Sequence, residues 1–172
     1  MEHPEMDTQR RASRAATLHL KDDRTLAVRE VQVTEPEALD AQSAYAEELL
    51  ARFGFSIQTP DEPEEGAIFI VVLHENAPVA YGGIRPVSSR LAAAEVKRMW
   101  VHADWRGSGL GSALLKRLED IAAAESYREV VLDTHGSLAE AIRLYERAGY
   151  RRVRRYNDNP DAELFFAKDL VD

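Results

Sequence analysis

Three alternating glycines, Gly107, Gly109 and Gly111, stand between a predicted strand and a predicted amphipathic helix. Glycine accepts backbone conformations that other residues avoid, and it leaves room for a ligand to approach the chain. Amide N–H groups in such a turn can point at one spot, and the following helix adds the positive end of its dipole. The segment therefore predicts a strand–turn–helix unit that binds a phosphate or pyrophosphate group.

The glycine spacing excludes two common phosphate-binding loops. A nucleotide-hydrolase loop ends in Gly-Lys-Ser/Thr, whereas Gly111 is followed by Ser112 and Ala113, so the lysine for the terminal phosphates is missing. A dinucleotide-binding loop needs the spacing Gly-x-Gly-x-x-Gly, and the glycines here alternate instead.

Hydrophobic periodicity predicts the remaining elements. A strand over 25–33 is followed by a helix over 34–54, which Thr34 and Glu37 start as a capping box and Gly54 ends. Two strands at 67–73 and 78–84 form a hairpin, and a third extended segment covers 91–101. The apolar face of the first helix is predicted to hold Leu39, Gln42, Tyr45, Ala46, Leu49 and Phe53. The order of elements favours an α/β fold with helices packed on a mixed sheet.

The chain has 172 residues, which suits a single domain over residues 24–172. Residues 1–23 are polar and mixed in charge, and we interpret them as an N-terminal arm. A flexible extension, an oligomer contact and an extra edge element are the alternatives for this arm.

Composition narrows the function. No cysteine is present, which excludes disulfides, thiolate metal sites and a cysteine nucleophile, and the five histidines lack metal-ligand spacing, so no metal is predicted. The formal charge of -8 disfavours nucleic-acid binding. No apolar run reaches the roughly 20 residues of a membrane span, and no secretory signal is present, so we expect a cytoplasmic protein without a membrane partner.

Arg106-x-x-Gly109-x-Gly111 resembles the Arg/Gln-x-x-Gly-x-Gly/Ala signature of the GCN5-related N-acetyltransferases. Residues 95–101 resemble that family's fourth strand, and residues 141–150 resemble its last helix and the following turn. The resemblance implies a mixed, mostly antiparallel sheet of about six to seven strands flanked by helices. It also implies an acetyl-CoA-dependent enzyme that acetylates a primary amine of a small molecule or peptide by direct transfer in a ternary complex. The alternatives are a non-catalytic acyl-CoA sensor or an interaction module, and homodimers are common among similar proteins.

The resemblance also implies roles for individual residues. Tyr145 would be the general acid, or else simply packed on the apolar helix face, and Glu95 the general base, or else a salt-bridge partner of Lys97 or Arg98. The backbone of the fourth strand would pair with the pantetheine arm, and the glycine-rich turn would hold the pyrophosphate of the coenzyme. These coenzyme-binding residues are Met99, Trp100, Val101, Arg106, Gly107, Ser108, Gly109, Leu110, Gly111 and Ser112.

Strand alternation predicts that Glu95, Lys97, Met99 and Val101 share one face of their strand, and that Val96, Arg98 and Trp100 share the other.

Ser137 with Glu140 predicts a capping box at the last helix, which Gly149 ends. Leu138 stands where many similar proteins have an asparagine that contacts the pantetheine, and Thr134 and His135 are candidates to replace it.

Two further segments are assigned to the acceptor. Tyr156, Asn157 and Asp158 either line the acceptor pocket or form a plain turn. The acidic loop containing Asp61, Glu62, Glu64 and Glu65 either is a solvated surface or favours cationic acceptors.

Overall fold

The computed structural model describes residues 16–57 and 63–170. Its single sheet has the strand order β1-β2-β3-β4-β5-β6-β8-β7. Every neighbouring pair is antiparallel except β5 and β6, which run parallel. The strands are β1 (Ala16–His19), β2 (Thr25–Val31), β3 (Ile68–His74), β4 (Ala77–Pro86), β5 (Ala93–Val101), β6 (Glu129–Thr134), β7 (Arg151–Arg152) and β8 (Leu164–Asp169), and the helices are α1 (Pro36–Phe53), α2 (Leu110–Ala124) and α3 (Ala139–Arg147). The predicted mixed, mostly antiparallel sheet flanked by helices is confirmed, although the sheet has eight strands rather than six to seven.

The helices cover the two faces of the sheet and create two cores. Helices α2 and α3 pack on one face, where Leu114, Leu118 and Tyr145 meet the strands. Helix α1 covers the other face through Ala38 and Ala41. Each fully buried leucine stabilises the fold by about 1.5–3 kcal/mol. Because side chains alternate between the two faces along each central strand, the apolar positions determine which face each helix covers.

Strand β1 lies within the segment predicted as an N-terminal arm. It pairs with β2 in a register that sets Leu18 opposite Leu26. Leu18 and Leu20 are buried in the same core as α2. The described end of the segment is therefore an edge strand, one of the alternatives for the arm, and residues 1–15 lie outside the described residues.

The capping box predicted at the start of α1 is wrong. The N-cap is Glu35, with no capping side chain, and Pro36 occupies the first turn. Arg29 on β2 pairs with Glu35 at 2.9 Å and with Glu37 at 2.8 Å. Ion pairing with a neighbouring strand thus engages the carboxylate that the capping box required, whereas Gly54 ends the helix in a left-handed conformation as predicted.

The buried face of α1 is rotated from the predicted one. Ala38, Ala41, Gln42 and Leu49 are buried, whereas Leu39 is 47% exposed. The small alanines let the helix approach β3 and β4 closely, so packing rather than side-chain size selects the face.

The capping box predicted for α3 is also wrong. This helix begins at Ala139 after Leu138, and no side chain caps it. Glu140 instead pairs with Arg52 of α1 at 3.2 Å, while Ser137 contacts His135. Gly149, with φ of 91°, follows the helix end, in agreement with its predicted role. Across residues 16–57 and 63–170, none of the helices is long and apolar enough to cross a membrane.

Candidate functional site

The main cleft opens where β5 and β6 separate. These strands pair only from Ala93 to Glu95 with residues 129–131, although β5 runs on to Val101 and β6 to Thr134. The cleft between them has a volume of about 1570 Å³. Pockets for one drug-sized ligand measure roughly 300–1,000 Å³, so this cleft has room for two reactants side by side.

A β-bulge in β5 changes which side chains face each wall. Lys97 lies opposite Gly83 and Trp100 lies opposite Tyr81, so β5 carries one extra residue there. Arg98 lies at the bulge and adopts a strained left-handed backbone conformation, with a φ of 54°. The predicted alternation is therefore wrong beyond Lys97. Met99 and Val101 lie in the same core as Val96, under α2 and α3, although the prediction put Val96 on the opposite face. Trp100 packs with Tyr81 under α1.

The glycine-rich turn forms a cradle of amide groups at the N-terminus of α2. Gly107 and Gly109 have φ values of 77° and 87°, which other residues adopt only with strain. In the described part of the chain, the amides of these two glycines and of Gly111 have no hydrogen-bond partner. A Cβ at Gly111 would lie 3.4 Å from Leu144 of α3. The missing side chain therefore keeps a passage open between the two helices.

Ser108 and Arg106 stabilise the turn rather than pointing into it. The Ser108 hydroxyl donates to the Trp105 carbonyl and accepts from the Leu110 amide at 3.3 Å. The Arg106 guanidinium binds Glu48 of α1 and donates to the Val101 carbonyl at 3.3 Å. Coenzyme binding by the Arg106 side chain stays a prediction, because the group is already ion-paired.

Tyr145 lies on α3 with its ring packed in the core and lines the cleft. Its ring centroid is 6.0 Å from that of Phe166. Its hydroxyl bonds to no other residue within the described ranges. Burial, with smaller effects of Tyr45 and Asp133, raises the pKa of this hydroxyl. Tyr145 is thus both packed, as in the structural alternative, and available as a protonated donor.

Glu95 is buried behind the cleft wall, with 2% of its surface exposed. Arg85 Nε donates to its Oε1 at 2.9 Å, and Lys97 lies 3.4 Å from the same oxygen. Asn157 donates to Oε2 at 3.0 Å. The salt bridge to Lys97 matches the structural alternative for Glu95. Its role as general base stays a prediction.

Asp133 is a cleft carboxylate that the sequence analysis did not identify. It lies near the end of β6 and lines the cleft. Lys97 Nζ approaches its Oδ2 at 3.3 Å, and Asn157 donates to the same oxygen at 2.6 Å. A usable signal was present, because a carboxylate at the carboxyl end of a buried parallel strand is typical of ligand sites.

The remaining predicted residues gather at the same cleft. Thr134, His135 and Leu138 line it, and so do Asn157 and Asp158. Tyr156 is not among its lining residues. The ring of His135 stacks on Phe55 at 4.8 Å, and Phe55 also lines the cleft. Among the described residues, no group of three His, Cys, Asp or Glu side chains could hold a metal ion.

A protein-family model and several known proteins match this chain. The family model described as "Acetyltransferase (GNAT) family" matches residues 26–150. The chain is 26% identical over 145 residues to an uncharacterized N-acetyltransferase of Schizosaccharomyces pombe, covering 77% of this chain and 88% of that protein. It is 39% identical over 80 residues to the N-acetylaspartate synthetase of Danio rerio, covering 42% of this chain but only 28% of that protein.

Solved structures share the fold. The GNAT domain of S. lividans PAT superposes with a TM-score of 0.72 at 20% identity, covering 98% of this chain and 99% of that one. A GNAT-family acetyltransferase of Staphylococcus aureus Mu50 gives a TM-score of 0.71 at 16% identity, covering 84% of this chain and 100% of that one.

Proposed function

Since the chain belongs to the GNAT acetyltransferase family and is an N-acetyltransferase, we propose that it transfers acetyl from acetyl-CoA to a primary amine of a small molecule or peptide. Transfer is direct, in a ternary complex. The observation that carries this proposal is the cleft between β5 and β6, which has a cradle of free amides and the Tyr145 hydroxyl on its walls.

The residues present fit an acyl-CoA. The amides of Gly107, Gly109 and Gly111 would hold the pyrophosphate, because each is free of partners among the described residues and anions bind well at helix N-termini. Beyond Glu95 no described strand covers the outer edge of β5, so the backbone of residues 99–101 can pair with the amides of the pantetheine arm. The acyl-CoA supplies an activated thioester.

Tyr145 provides the proton for the leaving group. The neutral amine nitrogen forms a bond to the thioester carbonyl carbon, the carbon–sulfur bond breaks, and the departing thiolate takes the Tyr145 proton. The nitrogen releases one proton to solvent, from which the Tyr145 hydroxyl is restored. The raised pKa keeps the hydroxyl protonated at neutral pH. General acid catalysis of this kind contributes about 10²–10⁴ to the rate.

Asp133, rather than Glu95, faces the acceptor. A cationic amine must bind and lose a proton before it can attack, and Asp133 is the carboxylate of this network that reaches the cleft. Lys97 and Asn157 contact both carboxylates. Glu95 therefore acts as a positioning residue that holds these two side chains in place for Asp133.

A preference for cationic acceptors remains a proposal. Of the acidic loop, Asp61 and Glu62 lie outside the described residues, and Glu64 pairs with Arg85 at 3.1 Å. Turnover of matched cationic and neutral amines tests this preference, and equal rates would remove it.

The central experiment measures thiol release by the purified protein with acetyl-CoA and a panel of amines, together with calorimetric binding of acetyl-CoA. Native protein should bind and turn over, and Gly109→Trp should lose binding, because its side chain fills the cradle. Binding without turnover across the panel would favour a non-catalytic acyl-CoA sensor. Absence of binding by native protein would refute the proposal. Propionyl-CoA in parallel shows whether acetyl is preferred.

A further inference from the structure

The turn between β1 and β2 places a lysine beside the amide cradle. The Lys21 side chain approaches within 3.6 Å of the position that a Cβ on Gly109 would occupy. Lys21 also lines the cleft. This hairpin is far from the cradle in sequence, so only the fold brings the two together.

Shared burial and one ring contact place this turn beside the cradle. Leu20, immediately before Lys21, is buried in the core with Leu110, the first residue of α2. The Arg24 guanidinium lies 4.5 Å from the ring centroid of Trp105, which precedes the glycines. Within the turn, the Leu20 amide donates to the Arg24 carbonyl at 2.9 Å. Lys21 is therefore held at the cradle by its neighbours rather than by a contact of its own.

The Lys21 ammonium is available to a ligand. No ion pair or hydrogen bond connects it to another residue of the described ranges. Arg106, the cation within the signature itself, is already bound to Glu48. Arg143 and Arg147 line the wall that α3 provides. Lys21 thus supplies positive charge from the β1–β2 hairpin, whereas the arginine of the signature is already ion-paired with Glu48.

We propose that Lys21 binds a phosphate group of coenzyme A, so that the β1–β2 hairpin is part of the coenzyme site. This inference rests on the proposed use of acyl-CoA. Coenzyme A carries phosphate at two places, the pyrophosphate and the 3′-phosphate, and an ammonium group can bind either of them.

Calorimetric titration of full-length native protein, Lys21→Ala and Lys116→Ala tests the assignment. Lys116 is an exposed lysine on α2 that pairs with Asp120, so its variant controls for the loss of one positive charge. The ligands are acetyl-CoA, 3′-dephospho-acetyl-CoA and acetyl-pantetheine. We expect Lys21→Ala to weaken acetyl-CoA binding about tenfold, Lys116→Ala to change it less than twofold, and Lys21→Arg to retain most of the affinity.

The shortened ligands identify the phosphate. A loss that disappears with 3′-dephospho-acetyl-CoA assigns Lys21 to the 3′-phosphate. A loss that persists there and disappears with acetyl-pantetheine assigns it to the pyrophosphate. Equal losses with all three ligands, or no loss with acetyl-CoA, would overturn the inference while native binding still supports the coenzyme. If native protein binds no acyl-CoA, the proposed function itself fails. Unchanged thermal unfolding of Lys21→Ala confirms that the hairpin is intact.

Discussion

Replacing Glu95 and Asp133 one at a time by the matching amide tests which carboxylate stabilises the fold and which takes part in catalysis. In Glu95→Gln the buried carboxylate loses its charge next to Arg85 and Lys97. Breaking a fully buried pair costs about 3–5 kcal/mol. Arg85 keeps Glu64 at 3.1 Å and is 33% exposed, and Lys97 keeps Asp133. We therefore discount the loss to about 2 kcal/mol of unfolding free energy.

That cost corresponds to a melting temperature lowered by about 4–8 °C for a chain of this size. The glutamine also brings a donor against Asn157 Nδ2, which now donates to Glu95 Oε2. Activity at 25 °C should fall less than tenfold, because the folded population remains high and Asp133 is intact.

Asp133→Asn should behave in the opposite way. Its melting temperature should change by less than that of Glu95→Gln, because the amide oxygen can still accept from Lys97 and Asn157. Its kcat/KM for an amine should fall about 100-fold, as expected when a general base or ammonium-binding carboxylate is lost.

Differential scanning fluorimetry and steady-state thiol release measure both quantities on the same preparations. If Glu95→Gln lost most of its activity without loss of stability while Asp133→Asn stayed active, the assignment of the two carboxylates would be reversed. Calorimetric acetyl-CoA affinity is the control and should be the same in both variants.

Three other predictions follow from the packing. Tyr145→Phe should lower kcat about 10²- to 10⁴-fold with unchanged melting temperature, since its hydroxyl has no partner among the described residues; full activity would exclude the acid role. Gly83→Ala should destabilise the fold by about 1–3 kcal/mol in urea unfolding, since a Cβ there would lie 2.3 Å from the Phe69 ring. Gly82→Ala is the control, because the nearest atom to its Cβ is at 3.2 Å. An equal loss of stability in the two variants would contradict the prediction. Because burial raises the pKa of every tyrosine, the folded state gains stability that is present below pH 10 and lost as pH rises through the folded pKa values. Absorbance at 295 nm should therefore show little tyrosinate at pH 10 until the protein unfolds. Ionisation of about half of the tyrosines in the folded protein at that pH, as for tyrosine exposed to water, would refute the expectation. The residues are Tyr45, Tyr81, Tyr127, Tyr145, Tyr150 and Tyr156.

Elements whose signals are local could be predicted from sequence. Gly54 ends α1, the hairpin of β3 and β4 turns at Glu75 and Asn76, and α2 begins directly after Gly109. Each depends on backbone preferences within a few residues. The glycine cradle belongs to this group, because the conformations of Gly107 and Gly109 are inherent in the residue type.

Features that depend on distant partners could not be predicted. Glu37 and Glu140 looked like capping residues, but Arg29 and Arg52 bind them across the fold. The bulge at Arg98 reverses the faces of β5, and periodicity cannot reveal it, because nothing in the residue type demands a positive φ.

The separation of β5 from β6 also bears on solubility. An unpaired strand edge can template association with another chain, and proteins protect such edges by covering them. Here the exposed edge lies inside a cleft lined by α1, α3 and the first turn of α2, so a strand of a second molecule meets those helices before it meets the backbone. The narrow, flexible pantetheine arm can enter this cleft, whereas the edge of a folded sheet cannot. The same geometry that admits a ligand thereby guards the sheet against aggregation.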